Sequence, residues 1–193
     1  MRPVFAAVLG ILASYPVSAL AQSAAPPVTT ARWEAGLTYN YLRGNAPPDV
    51  CGCFSLQGGG LSAAYRMAPH WKGVGEFAGS HAGGINNRAI DVTLLTYLFG
   101  VRYVAMPSAR AHPFAQVEVG GVHAGGSLYS AATSYTGSTN KFAMTTGGGL
   151  DVDLNSRVSL RLVQADYLLT LLPNGSNNHQ NTLRLSTGFV FRF

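Results

Sequence analysis

The sequence of 193 residues predicts an all-β fold, an eight-stranded antiparallel up-and-down β-barrel that crosses a membrane. Three observations predict it: apolar and polar residues alternate along the chain, the alternating segments number eight, and the connections between them alternate in length. The alternation is clearest from Leu183 to Phe193, where every odd position except Thr187 is a large apolar residue. A repeat of two residues indicates a strand with one apolar and one polar face.

Each predicted strand is close to the roughly 9–11 residues that a tilted strand needs to cross a bilayer. Their number is even, as it is in bacterial outer-membrane barrels. In chain order the predicted strands are Arg32–Arg43, Gln57–Met67, Trp71–Ser80, Asp91–Val104, Pro113–Val122, Phe142–Leu154, Val158–Thr170 and Asn181–Phe193.

The connections between these strands alternate in length, which a soluble sandwich has no reason to produce. With the first strand directed outward, every short connection falls on the periplasmic side and every long one outside, as in outer-membrane barrels. The short connections are Ala68–His70, Ala105–Ala111 and Asn155–Arg157, and the long ones are Gly44–Leu56, His81–Ile90, His123–Lys141 and Leu171–Gln180.

Residues 1–21 are interpreted as a cleaved signal peptide. A basic start precedes the apolar run Val4–Leu12, and Ala19-Leu20-Ala21 forms a small-x-small cleavage site. The run is too short for a transmembrane helix, which needs about 20 residues. We interpret residues 22–30 as a periplasmic N-terminal tether and residues 31–193 as the outer-membrane β-barrel domain. We therefore expect Sec-type export and a multi-pass β-barrel in the bacterial outer membrane.

The composition agrees with a membrane barrel and argues against nucleic-acid binding. Hydrophobic residues make up 47% of the chain and charged residues 11%, yet no window is apolar for long enough to be a transmembrane helix. The net charge of +5 comes from single, scattered basic residues, so no nucleic-acid partner is expected. A modest positive excess favours contact with lipopolysaccharide phosphates. Outer-membrane lipid and lipopolysaccharide are therefore the expected surroundings.

The charged residues fall on one face of the predicted strands. Large apolar residues such as Leu37, Tyr97 and Met144 define the outward face, and nearly all charges within the strands take the opposite phase. A charge facing lipid at the bilayer midplane costs roughly 2–4 kcal/mol for Arg or Lys, so lipid would impose this partition. The predicted lumen charge network is Glu34, Arg66, Lys72, Glu76, Arg102, Glu118, Asp151, Asp153, Arg161, Arg184 and Arg192.

Asp166 is the exception, because regular alternation would place it on the lipid face. A β-bulge inserts one extra residue into a strand and re-aims the residues that follow it. We therefore predict a bulge between Val163 and Ala165 that turns Asp166 into the lumen.

An interleaved ion-pair network is expected to plug the periplasmic half of the lumen, below a shallow polar cup open to the outside. An eight-stranded barrel is only just wide enough for its side chains to fill it, and buried charges must be paired. A gated ion path is the alternative. Arg66, Lys72 and Arg192 lie so near the turns that a position at the rim, in water, is a second interpretation. The upper lumen is expected to hold Thr38, Asn40, Ser62, Ser80, Thr145 and Ser186, with Arg184.

Aromatic residues cluster at both ends of the predicted strands, as in the interfacial girdles of membrane barrels. Trp33, Tyr65, Trp71, Tyr103 and Phe193 lie at the periplasmic ends, and Tyr39, Tyr41 and Phe142 lie towards the outer ends. The runs Gly58–Gly60 and Gly147–Gly149 fall inside strands, where glycine allows curvature or the close approach of a neighbouring ring.

Cys51 and Cys53 lie in the first outer loop and are a candidate disulfide, as expected for an exported protein. With one residue between them the ring would be strained, so free or intermolecular thiols remain alternatives. No histidine lies near them in sequence, and the five histidines are isolated, so we predict no metal site and no cofactor.

The chain resembles the small outer-membrane β-barrel family, the OmpA/OmpX-like, porin-type single-domain barrels of Gram-negative bacteria. The segments that carry the resemblance are Asn45–Pro48, Cys51–Phe54, Thr96–Gly100, Gly147–Val152 and the terminal run Leu183–Phe193. The resemblance implies that the barrel-assembly machinery recognises the terminal strand during biogenesis, with Phe193 as the end of that signal.

The sequence therefore predicts a non-enzymatic barrel that supports envelope structure or a surface interaction, with an extracellular ligand that the sequence does not identify. A narrow passive pore for small solutes is the first alternative. A lipid A acyl-modifying barrel enzyme is the second, and it would need a histidine and a serine with an acid to orient the histidine. His123 and Ser127 lie close in sequence, as do Ser80 and His81, but neither pair has an evident acid partner.

Overall fold

The computed structural model describes residues 31–44, 54–83, 91–126, 137–172 and 179–193. These residues form a closed antiparallel barrel of eight strands in sequence order, so the predicted fold class is confirmed. Residues 1–30, with the predicted signal peptide and tether, and Cys51 and Cys53 lie outside the described residues. The strands are β1 (Trp33–Gly44), β2 (Phe54–Arg66), β3 (Trp71–Ala82), β4 (Val92–Val104), β5 (Ala111–Gly126), β6 (Gly137–Asp153), β7 (Val158–Thr170) and β8 (Gln180–Arg192).

The barrel closes between its first and last strands. Glu34 of β1 pairs with Arg192 of β8, and Gly44 pairs with Thr182 at the other end of the seam. Backbone bonds between Trp33 and Phe193 extend the seam, with the Phe193 amide donating to the Trp33 carbonyl at 2.9 Å. Closure leaves no strand edge unpaired, which hydrocarbon requires because it cannot satisfy backbone polar groups.

The hairpin of β5 and β6 is longer than the sequence predicted. Its strands were expected to be Pro113–Val122 and Phe142–Leu154, but the ladder continues until Gly126 pairs with Gly137. The extension is rich in Gly, Ser and Thr, a composition that resembles a loop. Backbone pairing does not depend on side-chain polarity, so alternation alone missed these pairs.

Burial alternates along the strands as the period of two requires. Along β8 each lumen-facing residue from Gln180 to Ser186 is buried, and each residue between them is exposed. The outward residues include Leu37, Leu61, Phe77 and Phe99, each more than half exposed. Among the described residues no helix has the length and apolar character to span a bilayer.

Aromatic rings pack against one another at the periplasmic end, where the sequence placed a girdle. The rings of Trp33 and Tyr65 have centroids 4.8 Å apart, and those of Trp71 and Tyr103 lie 5.1 Å apart. His70 stacks on Tyr103, with 5.5 Å between the two ring centroids. Amphipathic rings at this level favour the membrane–water interface.

A bulge in β7 re-aims Asp166, as the sequence predicted. The register with β8 shifts between Arg161 and Gln164, so the bulge lies at Leu162 and Val163, slightly before the predicted position. Leu162 and Val163 are consecutive and both are exposed. Gln164 and Asp166 then return to the lumen, where Asp166 is 1% exposed.

Candidate functional site: the barrel lumen

The lowest tier of the lumen pairs charges from strands β1, β3, β6 and β8. The Lys72 ammonium lies 2.7 Å from both carboxylate oxygens of Glu34. Arg192 donates to the same carboxylate at 3.4 Å and lies 2.7 Å from Asp153 through another guanidinium nitrogen. Lys72 and Arg192, for which the sequence left a rim position open, are thus part of the lumen network. These four side chains form one connected group of ion pairs at the periplasmic end of the lumen.

Asp153 also contacts a serine hydroxyl and a histidine ring. The Ser159 hydroxyl donates to its Oδ1 at 2.7 Å, and Nε2 of His112 lies 2.9 Å from its Oδ2. His112 is buried, and its Nδ1 lies 2.9 Å from the Met106 carbonyl oxygen. The sequence prediction missed His112 because it began β5 at Pro113, one residue after His112; its spacing from Phe114, Gln116 and Glu118 is the signal that could have found it.

A second tier is built on Arg161 and Asp151. Nε and Nη2 of Arg161 donate to the two oxygens of Asp151 at 2.8 and 3.0 Å, a bidentate pair. Such a pair fixes orientation as well as charge. The remaining terminal nitrogen of Arg161 donates to Oε1 of Gln164 at 2.7 Å, and Nε2 of Gln164 donates to Asp166 at 2.6 Å. Gln164 therefore links this tier to the next one.

An analogous link lies on β5. Nε of Arg102 donates to Oε1 of Gln116 at 2.9 Å, and Nε2 of Gln116 donates to Glu118 at 3.2 Å. Among the described residues no carboxylate lies within ion-pair distance of Arg102 and no cationic group lies within that distance of Glu118, so this glutamine joins them indirectly. One terminal nitrogen of Arg102 and Oε1 of Glu118 have no hydrogen-bond partner among these residues. The sequence prediction did not include either glutamine.

The third tier surrounds Arg184. Its guanidinium donates through Nε and Nη2 to Oδ2 of Asp166 at 3.1 and 2.8 Å, and through Nη1 to Glu76. Arg184 and Asp166 are each 1% exposed. Replacing one partner of a buried pair leaves the other charge uncompensated, at a cost of about 3–5 kcal/mol. The bulge in β7 is what brings Asp166 to Arg184.

The outer part of the lumen holds a buried apolar cluster among polar side chains, so it differs from the open polar cup that the sequence predicted. Asn40, Ser80 and Thr145 are buried as expected, but large apolar side chains fill the space around them. The alternation missed this because Leu and Val in the lumen phase carry no charge to mark them. The cluster comprises Leu42, Phe54, Leu56, Ala82, Val92, Leu94, Leu98, Val122, Ala124, Ala143, Leu168 and Leu172.

The predicted site residues therefore separate into three groups. Eight of the eleven predicted lumen charges form the three tiers together with Asp166, and Arg102 and Glu118 lie in the lumen joined through Gln116. Arg66, the last residue of β2, lies at the periplasmic rim, where its guanidinium donates to the carbonyl of Ala31. Cys51 and Cys53 lie outside the described residues, and Phe193 lies at the seam.

The described residues give no support to a catalytic or metal site. Ser80 is buried in the lumen while His81 is exposed on the outer face, so this pair points in opposite directions. His123 has Asn140 as its partner, with 2.9 Å between Nδ1 and Oδ1, and Ser127 lies outside the described residues. Within the described ranges no group of three or more His, Cys, Asp or Glu residues could hold a metal ion.

A closed barrel with an apolar outer face and paired charges inside defines a membrane-spanning β-barrel. Comparison with protein families identifies the family of this membrane barrel. Residues 6–193 match the outer membrane protein beta-barrel domain, and the chain belongs to this family.

Solved structures share the fold at low sequence identity. Neisserial surface protein A (NspA) has a TM-score of 0.64 at 13% identity, covering 83% of this chain and 97% of that one. OprG from Pseudomonas aeruginosa has a TM-score of 0.57 at 13% identity, covering 84% and 96%. Ail, the attachment invasion locus protein of Yersinia pestis, has a TM-score of 0.54 at 16% identity, covering 84% and 99%. A comparison with curated proteins found no match.

Proposed function

We propose that the protein is a non-enzymatic outer-membrane barrel with a sealed lumen, which serves envelope structure or a surface interaction through its extracellular connections. The observation that carries this proposal is the filling of the lumen at two levels. Charged tiers occupy the periplasmic and middle levels, and the apolar cluster occupies the outer level. A solute would have to break buried ion pairs and also pass through an apolar core.

The two levels exclude ions for different physical reasons. An ion that enters the charged tiers must displace partners already held at 2.7–3.0 Å, such as Asp151 on Arg161 or Asp166 on Arg184. An ion that enters the apolar cluster exchanges its hydration for surroundings that are mostly hydrocarbon, which is costly. The lumen therefore stays closed to ions even if one of the two levels is incompletely packed.

Export by a Sec-type route and insertion by the barrel-assembly machinery belong to this proposal. The terminal strand β8, with Phe193 next to it, is where we expect that machinery to act. Outer-membrane lipid and lipopolysaccharide are the proposed surroundings, and neither a cofactor nor a metal is part of the proposal. No specific observation favours the passive pore or the acyl-modifying enzyme.

Single-channel recording in planar bilayers tests the sealed lumen. The folded wild-type barrel is expected to give no stable conductance above the membrane baseline. A porin reconstituted in the same bilayers is the positive control for insertion and detection. A stable, reproducible open level from the wild-type protein would contradict the proposal and support the pore.

A further inference from the structure

Four arginines lie around the periplasmic mouth of the barrel. Arg32 directly precedes β1, Arg66 ends β2, and Arg110 and Arg157 lie in the connections from β4 to β5 and from β6 to β7. Arg32, Arg110 and Arg157 are exposed, and Arg66 is half-buried at the rim. The eight strands close in sequence order, so these side chains are distributed around the mouth. We call them the periplasmic arginine ring.

The periplasmic end has an excess of positive charge. Six of the eight Asp and Glu residues line the lumen, and the other two, Asp49 and Asp91, fall at the extracellular end. Residues 22–33 and the three periplasmic connections contain no Asp or Glu. Among the described residues no carboxylate lies within ion-pair distance of the Arg32 or Arg157 side chain. Even with a terminal carboxylate at Phe193, the four guanidinium groups leave this end cationic.

An exposed apolar side chain accompanies each arginine of the ring. These four apolar side chains are 49–57% exposed, and each lies in the same connection as its arginine or directly beside it. A soluble anionic partner would explain the arginines but not the apolar side chains next to them. A membrane surface explains both, because apolar groups enter the acyl boundary while cationic groups reach the phosphates. The pairs are Arg32 with Trp33, Arg66 with Met67, Arg110 with Met106, and Arg157 with Leu154.

A cleft beside the ring has the size and lining of a headgroup site. It has a volume of about 650 Å³ and lies between Arg32, the connection from β2 to β3 and the connection from β4 to β5. Arg32 and Arg66 contribute charge to its lining, and Tyr65 and Met67 contribute apolar surface. Tyr65 also packs against Trp33 in the periplasmic girdle, so the cleft lies at the level of the membrane interface. Its volume is within the usual range for small-molecule sites.

We propose that the periplasmic arginine ring binds anionic phospholipid headgroups of the periplasmic leaflet, with one headgroup phosphate held in the cleft by Arg32 and Arg66. The Arg66 guanidinium donates to the carbonyl of Ala31, which ties it to the backbone next to Arg32. Planar guanidinium groups suit phosphate because two donors match two phosphate oxygens. The inference rests on the outer-membrane location and goes beyond the proposed function by naming a lipid class and its site. It does not depend on whether the lumen conducts.

Native mass spectrometry of the folded mature barrel, released from detergent, tests the lipid class and the site. The probes are phosphatidylglycerol and phosphatidylethanolamine with the same acyl chains, and soluble glycerol phosphate as a competitor. The wild-type barrel is expected to bind phosphatidylglycerol more tightly than phosphatidylethanolamine. Arg32→Gln is expected to weaken phosphatidylglycerol binding about fivefold, the contribution of one arginine near an anionic surface.

Arg43→Gln is the matched control, because Arg43 is exposed at the extracellular end and the substitution is the same. Its affinity for phosphatidylglycerol should equal that of the wild type. Arg157→Gln is a second variant of the ring and should give a loss comparable to that of Arg32→Gln. It keeps the test available if Arg32→Gln fails to fold.

Met67→Ser separates a lipid from a soluble anion. It removes an exposed apolar side chain and keeps every arginine, so it should weaken phosphatidylglycerol binding. Unchanged affinity in Met67→Ser, or displacement of the lipid by glycerol phosphate at the same concentration, would overturn the lipid assignment. Wild-type affinity in both ring variants, an equal loss in Arg32→Gln and Arg43→Gln, or equal binding of the two phospholipids would each overturn the inference. Single-channel recording judges the sealed lumen separately.

Discussion

Arg102 and Arg161 share one aromatic ring: their guanidinium carbons lie 4.6 and 4.8 Å from the centroid of Phe114. A guanidinium over a ring gains about 0.5–2 kcal/mol, more when it is desolvated. Both arginines are almost fully buried, so Phe114 shields two like charges within the lumen. Gly149 makes the arrangement possible, because a Cβ there would lie 2.7 Å from Cζ of Phe114.

Gly149→Ala is therefore expected to destabilise the barrel. The added Cβ would also lie 2.4 Å from the Val163 carbonyl oxygen, so both ring and backbone must shift, at a cost of roughly 1–3 kcal/mol. Urea unfolding in lipid vesicles, followed by tryptophan fluorescence, measures the free energy. Gly125→Ala is the control, because a Cβ at Gly125 meets nothing within 4 Å. Equal stability of the two variants would show that Phe114 does not need the space.

Replacing Arg184 should cost more than replacing Lys72. Arg184→Met leaves both Asp166 and Glu76 without their cation, an expected loss of about 3–5 kcal/mol. Lys72→Met leaves Glu34 with Arg192, and the Lys72 side chain is 15% exposed, so the loss should be smaller. The same unfolding experiment ranks the two, and the reverse order would contradict the tier assignment.

Deletion of Leu162 should leave a folded barrel. The bulge places Leu162 and Val163 on the same face, so removing Leu162 restores regular alternation with Arg161 and Gln164 still inward. Deletion of Tyr167 is the contrast, because it lies in a regular ladder and would turn buried Leu168 outward. Electrophoretic mobility before and after boiling reports folding. Failure of the Leu162 deletion with survival of the Tyr167 deletion would argue against this reading of the bulge.

The apolar cluster should contribute to stability as a packed core does. Leu98 is fully buried, so Leu98→Ala removes packed methyl groups and should cost about 2–5 kcal/mol. Leu61→Ala is the matched control, because Leu61 is exposed on the outer face, where lipid can fill the space it leaves. Equal urea midpoints for the two variants would mean that the outer lumen is loosely filled.

The sequence predicted the features that lipid imposes and missed those that depend on packing inside the lumen. The phase of charges such as Glu34 and Arg161 was readable because a charge facing hydrocarbon is costly, and the same cost revealed the bulge before Asp166. Leu98 and Val122 share the lumen phase, but their apolar character alone does not predict that they pack in one cluster. Gln116 and Gln164 were missed because a neutral amide is tolerated on either side of a strand near an interface.

The seam between Trp33 and Phe193 also sets the order of events during assembly. The first strand finds its second partner only when the last strand is available, so partial chains carry two open edges. Pairing of such distant segments is slow compared with local hairpins. The unfolded chain must therefore be kept from aggregating until β8 is available. Pairing of β8 with β1 then closes the barrel.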